Sequence, residues 1–298
     1  MTTITKVALA GASGDLGAPV FEQVLNAGFQ VTVITRKGSS HTWPSNVTVK
    51  EVDYSSLDSL TEALQGQDAV VATITTPALN SQVLLIEAAA KAGVKRFIPS
   101  EFGSDTFNEK ASQLPCYKPK VEVQEALKKA AAESSLTWTA VLNGAFLDWA
   151  IRVGFFADVK NRTIELPDGG NKTTSAATLS TIGKAVVGVL RNPEQTKNRP
   201  VYVQEAVISL KQIEEILKKH VGADGWKENV TSLDEGLQKA LEENKTAFTP
   251  NVFISTLKVA IWSDGYGGRF QKLDNELLGI KELSPAELEA IVVKNIPK

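Results

Sequence analysis

Short apolar runs alternate with longer stretches of helical periodicity through the first half of the chain, and this alternation constrains the fold more than any other feature. Six runs rich in β-branched residues fit buried strands, at 7–10, 31–35, 47–52, 69–73, 96–99 and 138–142. Helices are predicted between them at 18–27, 57–65, 80–92 and 120–134. Apolar strands that alternate with helices indicate a parallel, doubly wound sheet with right-handed crossovers.

The alternation ends near Asn143, and the rest of the chain has a different organisation. A helix is predicted at 179–191 and a strand at 201–203, whereas the carboxyl-terminal third is mainly helical in pattern. Ser209 and Ser284 are candidate helix N-caps, and Ser284 is followed by Pro at the first helical position and Glu at the third. Further helices are predicted at 210–220, 233–243 and 251–262. A smaller, mainly α lobe over the carboxyl edge of the sheet is therefore expected.

Composition supports a globular protein and excludes several kinds of site. At roughly 150 residues per domain, the 298 residues suggest about two domains or one large domain with an appendage. A formal charge of −2 gives no sign of a basic, nucleic-acid-binding face. Cys116 is the single cysteine, so an intrachain disulfide framework is ruled out. Since His41 and His220 are the two histidines, neither a zinc site nor a Ser-His-Asp hydrolase is favoured. No metal is expected, so reactive chemistry must come from a bound cofactor.

The amino terminus and the hydropathy pattern predict a cytoplasmic protein. Residues 1–6 are polar and lead into a short apolar run that stops at Gly11, which is not a signal-peptide core. No apolar run approaches the roughly 18 residues that a membrane span needs. We therefore expect no membrane partner, while these features leave the oligomeric state open.

A glycine-rich loop lies directly between the first predicted strand and the first predicted helix. Its spacing is G-x-x-G-x-x-G, and it consists of Gly11, Ala12, Ser13, Gly14, Asp15, Leu16 and Gly17. Small residues allow a tight turn and a close approach of the backbone to a pyrophosphate, and the helix N-terminus supplies N–H groups and partial positive charge. A plain surface turn is the alternative, but the position after the first strand of a βα repeat favours dinucleotide binding.

Basic residues at the end of the second strand distinguish between the two nicotinamide dinucleotides. An acidic residue there would bond the ribose 2′-hydroxyl of NAD, whereas this strand ends in Arg36 and Lys37. Arg36 can grip a 2′-phosphate or stack on the adenine, and Lys37 adds charge, so NADP or NADPH is the predicted cofactor. A solvated basic pair is the alternative.

Polar residues that end other strands are further candidates for contact with the cofactor. Asp53 ends the third strand and would lie near the adenine, although a turn-forming Asp explains it equally well. Thr73, Thr75 and Thr76 would line the ribose and pyrophosphate, with β-branched strand ends as the alternative. Asn143 ends the sixth strand and would orient the nicotinamide or the substrate, or simply cap the residue that follows.

The usual catalytic pattern of short-chain dehydrogenases, Tyr-x-x-x-Lys, is not reproduced. Ser100 stands at the end of the fifth strand, where those enzymes place a serine, but Tyr117 and Lys120 are three residues apart instead of four. A spacing of three does not pair the phenol with the ammonium in the required helical geometry. Tyr117 is therefore not expected to be the proton donor.

Several segments nevertheless resemble one branch of the atypical short-chain dehydrogenases, the NmrA-like and isoflavone-reductase-like proteins. The resemblance rests on the glycine loop, on 94–103 (VKRFIPSEFG), on 117–121 (YKPKV) and on 142–149 (LNGAFLDW), and it covers about 6–149. It implies a Rossmann fold that binds NADP(H), with a catalytic lysine at the start of the helix after the fifth strand. By motif position this lysine is Lys120, which would bond the ribose and polarise the substrate oxygen.

The resemblance also bears on neighbouring residues and on the domain organisation. Lys118, which lies in the same motif, is the alternative candidate for the catalytic lysine. Plant members tend to carry Thr and a bulky residue where this chain has Ser13 and Asp15, so the loop departs from the plant pattern. We predict an α/β protein with an NADP-binding Rossmann domain and a smaller, mainly α, substrate-binding lobe. The first comprises 1–150, rejoined by 176–203, and the second comprises 151–175 and 204–298.

Aromatic residues near these motifs predict a mostly apolar wall for a flat, conjugated substrate. The candidates are Phe102, Phe107, Phe146, Trp149, Trp262 and the more distant Tyr266, each of which has a core position as the alternative. The predicted function is hydride transfer from NADPH to a small conjugated or aromatic compound, of the isoflavone, phenylpropanoid or another secondary-metabolite class. The alternative is a non-catalytic NADP(H)-sensing regulator with a protein partner. A nucleotide-sugar epimerase is less favoured because Tyr-x-x-x-Lys is absent.

Overall fold

The computed structural model describes residues 2–75 and 78–297 of the chain. Within these ranges the chain forms twelve β-strands, β1 Lys6–Ala10, β2 Gln30–Arg36, β3 Thr48–Val52, β4 Ala69–Ala72, β5 Arg96–Ile98, β6 Thr137–Leu142, β7 Ala145–Phe146, β8 Thr163–Pro167, β9 Thr173–Ala177, β10 Arg199–Tyr202, β11 Ala206–Ser209 and β12 Lys227–Thr231. The same described residues form eleven α-helices, α1 Gly17–Asn26, α2 Leu57–Leu64, α3 Ser81–Lys91, α4 Lys118–Glu133, α5 Leu147–Arg152, α6 Leu179–Arg191, α7 Leu210–Val221, α8 Leu233–Asn244, α9 Pro250–Trp262, α10 Asn275–Leu278 and α11 Pro285–Lys294.

Seven strands form one parallel sheet with the order β10-β6-β5-β4-β1-β2-β3. The order reverses at β1, because β2 and β3 extend to one side of it and β4, β5 and β6 to the other. Such a reversal opens a crevice at the carboxyl ends of the central strands, where doubly wound proteins bind their ligands. The topology confirms the predicted doubly wound sheet, and all six strands predicted in the first half of the chain are present.

Both faces of the central strands of the large sheet are buried, which explains why strands such as β1 and β4 have continuous apolar sequences. In β1, Val7 and Leu9 enter the core shared with α1 and α6. Ala8 and Ala10, which alternate with them, enter the core on the opposite face, shared with α2, α3 and α4. A parallel strand covered by helices on both sides has no face exposed to water, so its side chains are apolar on both faces of the sheet.

The elements α6 and β10 return the chain to the large sheet after a long excursion. Helix α6 packs so closely on α1 that a Cβ atom on Gly183 would lie 2.9 Å from the carbonyl oxygen of Pro19. Strand β10 then joins the edge of the sheet beside β6, with Val201 opposite Val141. Both elements lie within the segment 176–203, whereas the division of the chain into two domains stays a prediction.

The remaining elements surround a second apolar core with two small sheets. One sheet has the order β11-β9-β7, and in the other β12 pairs with β8. Sequence patterns predicted α7, α8, α9 and α11, including the capping box in which Ser284 and Glu287 exchange hydrogen bonds. They missed these five strands, because segments of at most five residues with polar positions carry little periodicity. None of the helices in the described ranges is long and apolar enough to cross a membrane.

Candidate functional site

The glycine loop turns tightly over the carboxyl ends of β1 and β4. Gly11 has a φ of +85°, and a Cβ atom on it would lie 2.6 Å from the carbonyl oxygen of Thr73. A Cβ atom on Gly17 would lie 2.0 Å from the carbonyl oxygen of Gly11. Gly14 could carry a Cβ atom, because that atom would lie 3.5 Å from the carbonyl oxygen of Gly11, an ordinary van der Waals distance. Contacts with Thr73 and within the loop therefore require glycine at two of the three positions.

The N-terminus of α1 is left open by this arrangement. The helix begins after Leu16, none of the described side chains caps it, and its first turn contains no acidic residue. Ala12 is buried beneath the loop, whereas Ser13 and Asp15 are exposed. In the first turn the N–H of Ala18 donates to the carbonyl oxygen of Gly14 (2.9 Å) and Pro19 has no N–H, which leaves the N–H of Gly17. With the helix dipole, this N–H fits the pyrophosphate of a dinucleotide.

Thr73 fastens the end of β4 to the end of β1. Its N–H and its hydroxyl both donate to the carbonyl oxygen of Ala10, at 2.8 and 3.0 Å. The hydroxyl thus supports the loop, and its contact with a ribose stays a prediction. Thr75 is exposed at the same edge of the sheet, and Thr76 lies outside the described residues.

The predicted determinants of cofactor choice lie at the ends of β2 and β3, which are neighbours in the sheet. Arg36 and Lys37 are exposed, and neither forms an ion pair with a carboxylate of the described residues. The carboxylate of Asp53 accepts hydrogen bonds from the hydroxyl (2.6 Å) and N–H (2.9 Å) of Ser55, which lower its pKa. The two unpaired cations, Arg36 and Lys37, fit a 2′-phosphate. Asp53 makes the hydrogen bonds of a turn, and its contact with an adenine stays a prediction.

Lys120 is largely buried at the start of α4, against the loop that follows β5. Its side chain is 13% exposed, and its ammonium donates to the carbonyl oxygen of Glu101 and, at 3.4 Å, to that of Phe102. The ring centroid of Tyr117 lies 5.6 Å from the same nitrogen. Lys118, the other candidate, is exposed and makes none of these contacts. The structure therefore brings Lys120, and not its neighbour, to the loop after β5.

A buried carboxylate, that of Glu101, accompanies this lysine. Its Oε2 atom lies 4.0 Å from Nζ of Lys120, and it accepts hydrogen bonds from Thr106 (2.7 Å) and Gln124 (2.9 Å). Burial raises the pKa of Glu101 and lowers the pKa of Lys120, and attraction between the two charges opposes both shifts. Sequence reasoning missed Glu101, although a lone acidic residue between an apolar strand and Phe102 is a usable signal.

Asn143 borders the same loop from the end of β6. It is fully buried, its N–H donates to the carbonyl oxygen of Gly103 (3.1 Å), and its side-chain amide donates to that of Gly144 (3.0 Å). Its side-chain oxygen has no hydrogen-bond donor among the described residues. Gly103 is also close to Lys120, since a Cβ atom on it would lie 3.7 Å from Nζ. A buried acceptor without a partner, on the residue that bonds the same loop as the lysine, fits an amide or hydroxyl donor of a bound molecule.

The predicted aromatic wall is partly assembled. Phe146 and Trp149 meet edge to face with ring centroids 6.2 Å apart, and Phe102 is buried in the core against which both pack. The indole N–H of Trp149 also donates to the carboxylate of Asp15, at 3.0 Å, so this group of aromatics reaches the glycine loop. No local sequence pattern indicated this hydrogen bond.

Phe107 and Trp262 are not brought to that group. Phe107 stacks on Trp138, with ring centroids 5.8 Å apart, in the core on the opposite face of the large sheet. Trp262 packs against Phe156 in the second core, where it lines a cleft of about 200 Å³ together with Lys258. Their roles in substrate binding stay predictions.

Comparison with known proteins identifies the family. A model of the NmrA-like family matches residues 3–253. The chain belongs to the NmrA-like family. The resemblance predicted from the motifs is thereby confirmed, and the match extends well beyond the segment 6–149 on which those motifs lie.

Relatives of this NmrA-like protein span nearly its whole length. Oxidoreductase aprR of Aspergillus flavus is 35% identical, over 97% of this chain and 99% of its own. Phenylcoumaran benzylic ether reductase PT1 of Pinus taeda is 25% identical, with 86% of each chain covered. The solved leucoanthocyanidin reductase of Vitis vinifera bound to NADPH shares the fold, with a TM-score of 0.75 at 18% identity over 98% of this chain and 99% of its own. The predicted oxidoreductase class agrees with the names of these relatives.

Replacing Gly17 by Ala tests the close contact in the glycine loop. We expect the free energy of unfolding to fall by roughly 2 kcal/mol or more, because the added methyl group would overlap the carbonyl oxygen of Gly11. Urea unfolding followed by circular dichroism measures the change. Gly14→Ala is the matched control and should be nearly neutral, since its Cβ atom has room. Equal stability of the two variants would contradict this account of the loop.

Proposed function

We propose that this NmrA-like protein is an NADPH-dependent reductase of small conjugated or aromatic compounds. The observation that carries the proposal is that the largely buried ammonium of Lys120 and Asn143, whose amide oxygen has no donor among the described residues, both lie against Gly103, at the same edge of the sheet as the glycine loop. That edge is where doubly wound proteins bind their ligands. The proposal keeps the cytoplasmic location predicted from the sequence.

The residues along this edge fit the successive parts of NADPH. The glycine loop and the N-terminus of α1 would hold the pyrophosphate, and Arg36 and Lys37 would hold the 2′-phosphate. Asn143 would accept a hydrogen bond from the nicotinamide carboxamide. Bound NADPH supplies a hydride to an electron-poor carbon of the substrate. The leucoanthocyanidin reductase that shares this fold was solved with NADPH, which supports the assignment.

Lys120 would stabilise the negative charge that develops on the substrate. An ammonium has three N–H donors, and the carbonyl oxygens of Glu101 and Phe102 accept from two of them. The third would serve the substrate oxygen that gains electron density as hydride reaches the carbon. Burial strengthens this interaction relative to water, and the lowered pKa of Lys120 assists transfer of its proton to that oxygen.

The proposed substrate class rests on the apolar side of the site. Phe146 and Trp149 offer aromatic surfaces on the side of the glycine loop, and such surfaces suit a flat ligand. The Pinus taeda relative is named for its action on a phenylcoumaran benzylic ether, whereas the more similar relative from Aspergillus flavus is named only as an oxidoreductase. We therefore propose an aromatic or conjugated secondary metabolite as the substrate and assign no single compound.

Lys120→Ala tests the catalytic role of the lysine. We expect turnover to fall by about a hundredfold or more, because the developing charge loses its partner. A panel of enones and benzylic aryl ethers, with NADPH consumption followed at the nicotinamide absorbance band, supplies the measurement. Lys118→Ala is the matched control and should retain turnover. Wild-type rates in Lys120→Ala, or loss of activity in Lys118→Ala alone, would remove Lys120 from the mechanism.

Glu101→Gln tests how the lysine stays protonated. The carboxylate opposes the effect of burial on the pKa of Lys120, so its loss should lower that pKa further. As pH rises, the ammonium of the variant should then lose its proton earlier than in the unaltered protein. The alkaline limb of the kcat/KM profile should therefore move to lower pH by roughly one pH unit or more. Glu205→Gln is the control, because this buried glutamate bonds Thr178 and Thr181 instead. An unmoved alkaline limb in Glu101→Gln would refute the coupling.

Arg36→Ala tests the choice of cofactor. Calorimetric titration should show that the unaltered protein binds NADP much more tightly than NAD, because the 2′-phosphate meets two exposed cations. The variant should lose most of this preference through weaker NADP binding, while its affinity for NAD changes little. Equal affinities for NADP and NAD in the unaltered protein would exclude the assignment of Arg36 and Lys37.

The alternative function is a non-catalytic NADP(H) sensor with a protein partner. In such a protein the buried lysine would take part in no reaction. This alternative predicts that NADPH binds, that no compound in the panel is reduced, and that one redox form of the cofactor promotes binding of a partner. The buried position of Lys120 favours the reductase.

A further inference from the structure

One hydrogen bond in the site joins segments that are far apart in the chain. The indole Nε1 of Trp149 donates to Oδ2 of Asp15 over 3.0 Å, across 134 positions of sequence. Asp15 belongs to the glycine loop, whereas Trp149 belongs to α5, beyond the end of β6. The bond therefore links the loop that would receive the cofactor phosphates to the aromatic group proposed for the substrate.

The indole is held in place by its own surroundings. The carboxylate of Asp148 accepts hydrogen bonds from the N–H groups of Trp149 and Leu179, both at 3.0 Å, which ties α5 to the start of α6. The ring of Trp149 packs edge to face on Phe146 and contacts both the core beneath the large sheet and the second core. Asp15, by contrast, is exposed, and Trp149 provides its side-chain hydrogen bond. Asp15 is thus the exposed partner, and the bond holds its carboxylate in one position.

A carboxylate at position 15 is an electrostatic problem for a loop that binds phosphate. Asp15 immediately precedes Leu16, the residue from which α1 starts. The N-terminus of a helix attracts a carboxylate as it attracts a phosphate, so a free Asp15 side chain would compete for the N–H of Gly17 and repel the phosphates. In the structure the carboxylate bonds the indole, and no described side chain caps the helix.

We propose that Trp149 is a positioning residue that holds the Asp15 carboxylate away from the N-terminus of α1 and so keeps that end of the helix available to the phosphates of NADPH. This inference rests on the proposed function only in taking NADPH as the ligand. A purely structural role, in which the bond joins α5 to the loop and charge is irrelevant, makes different predictions for the variants below.

Titration calorimetry with NADPH distinguishes the two roles without measuring turnover. Trp149→Phe keeps an aromatic ring and removes the N–H donor, so the dissociation constant should rise by about two- to tenfold. Adding Asp15→Asn to that variant should restore tight binding, because a neutral amide does not repel phosphate. Trp226→Phe is the matched control, since its indole also donates a hydrogen bond, to Gly222 at 3.0 Å, and its affinity should not change.

A single variant keeps the inference falsifiable if Trp149→Phe does not fold, and a salt titration adds a test if it does. Asp15→Asn alone changes an exposed side chain and should bind NADPH as tightly as the unaltered protein, or more tightly. The difference between Trp149→Phe and the unaltered protein, where both fold, should shrink as salt is raised, because salt screens the repulsion of exposed charges.

Several results would overturn the inference while leaving the proposed function intact. They are unchanged affinity in Trp149→Phe, a double variant as weak as Trp149→Phe, and clearly weaker binding by Asp15→Asn alone. The second of these would show that the indole acts through packing. Failure of the unaltered protein to bind NADPH at any concentration would instead overturn the proposed function, and this inference with it.

Discussion

The contact between the glycine loop and the ends of β1 and β4 is the constraint on which the site depends. Thr73 bonds the carbonyl oxygen of Ala10, and neither Gly11 nor Gly17 has space for a side chain, so the backbone must turn directly from strand into helix. This turn places the N-terminus of α1 at the crevice where the strand order reverses. The position proposed for the pyrophosphate is therefore a consequence of backbone packing and not of a charged side chain.

Charge is used in two different ways around this crevice. Arg36 and Lys37 are exposed at its rim, where water and salt weaken each interaction, and they suit recognition of a phosphate. Lys120 is buried beside Glu101, where removal from water lowers the pKa of the ammonium and the carboxylate partly restores it. An exposed cation can choose between cofactors, but a buried one has the stronger field needed to stabilise a developing charge.

Sequence patterns predicted the elements whose signals are local. Helix α6 occupies Leu179–Arg191, the same residues that its periodicity indicates, and the capping box at Ser284 is formed as expected. The five short strands from β7 to β12 outside the large sheet were missed, because each is defined by its partner and not by its own composition. The aromatic residues show the same limit, since Phe107 and Trp262 are as apolar as Phe146 but pack into other cores.

The sequence by itself determined which edge of the sheet carries the site. Parallel strands that alternate with helices all end at one edge, so the glycine loop, Arg36 and the lysine after β5 had to meet there. Tertiary structure alone decided which side chains touch within that edge. The burial of Lys120 while Lys118 stays exposed, the pairing with Glu101 and the bond from Trp149 to Asp15 all depend on the packing of distant segments. Such packing sets the direction of each side chain, and this direction cannot be predicted from a local pattern of residues.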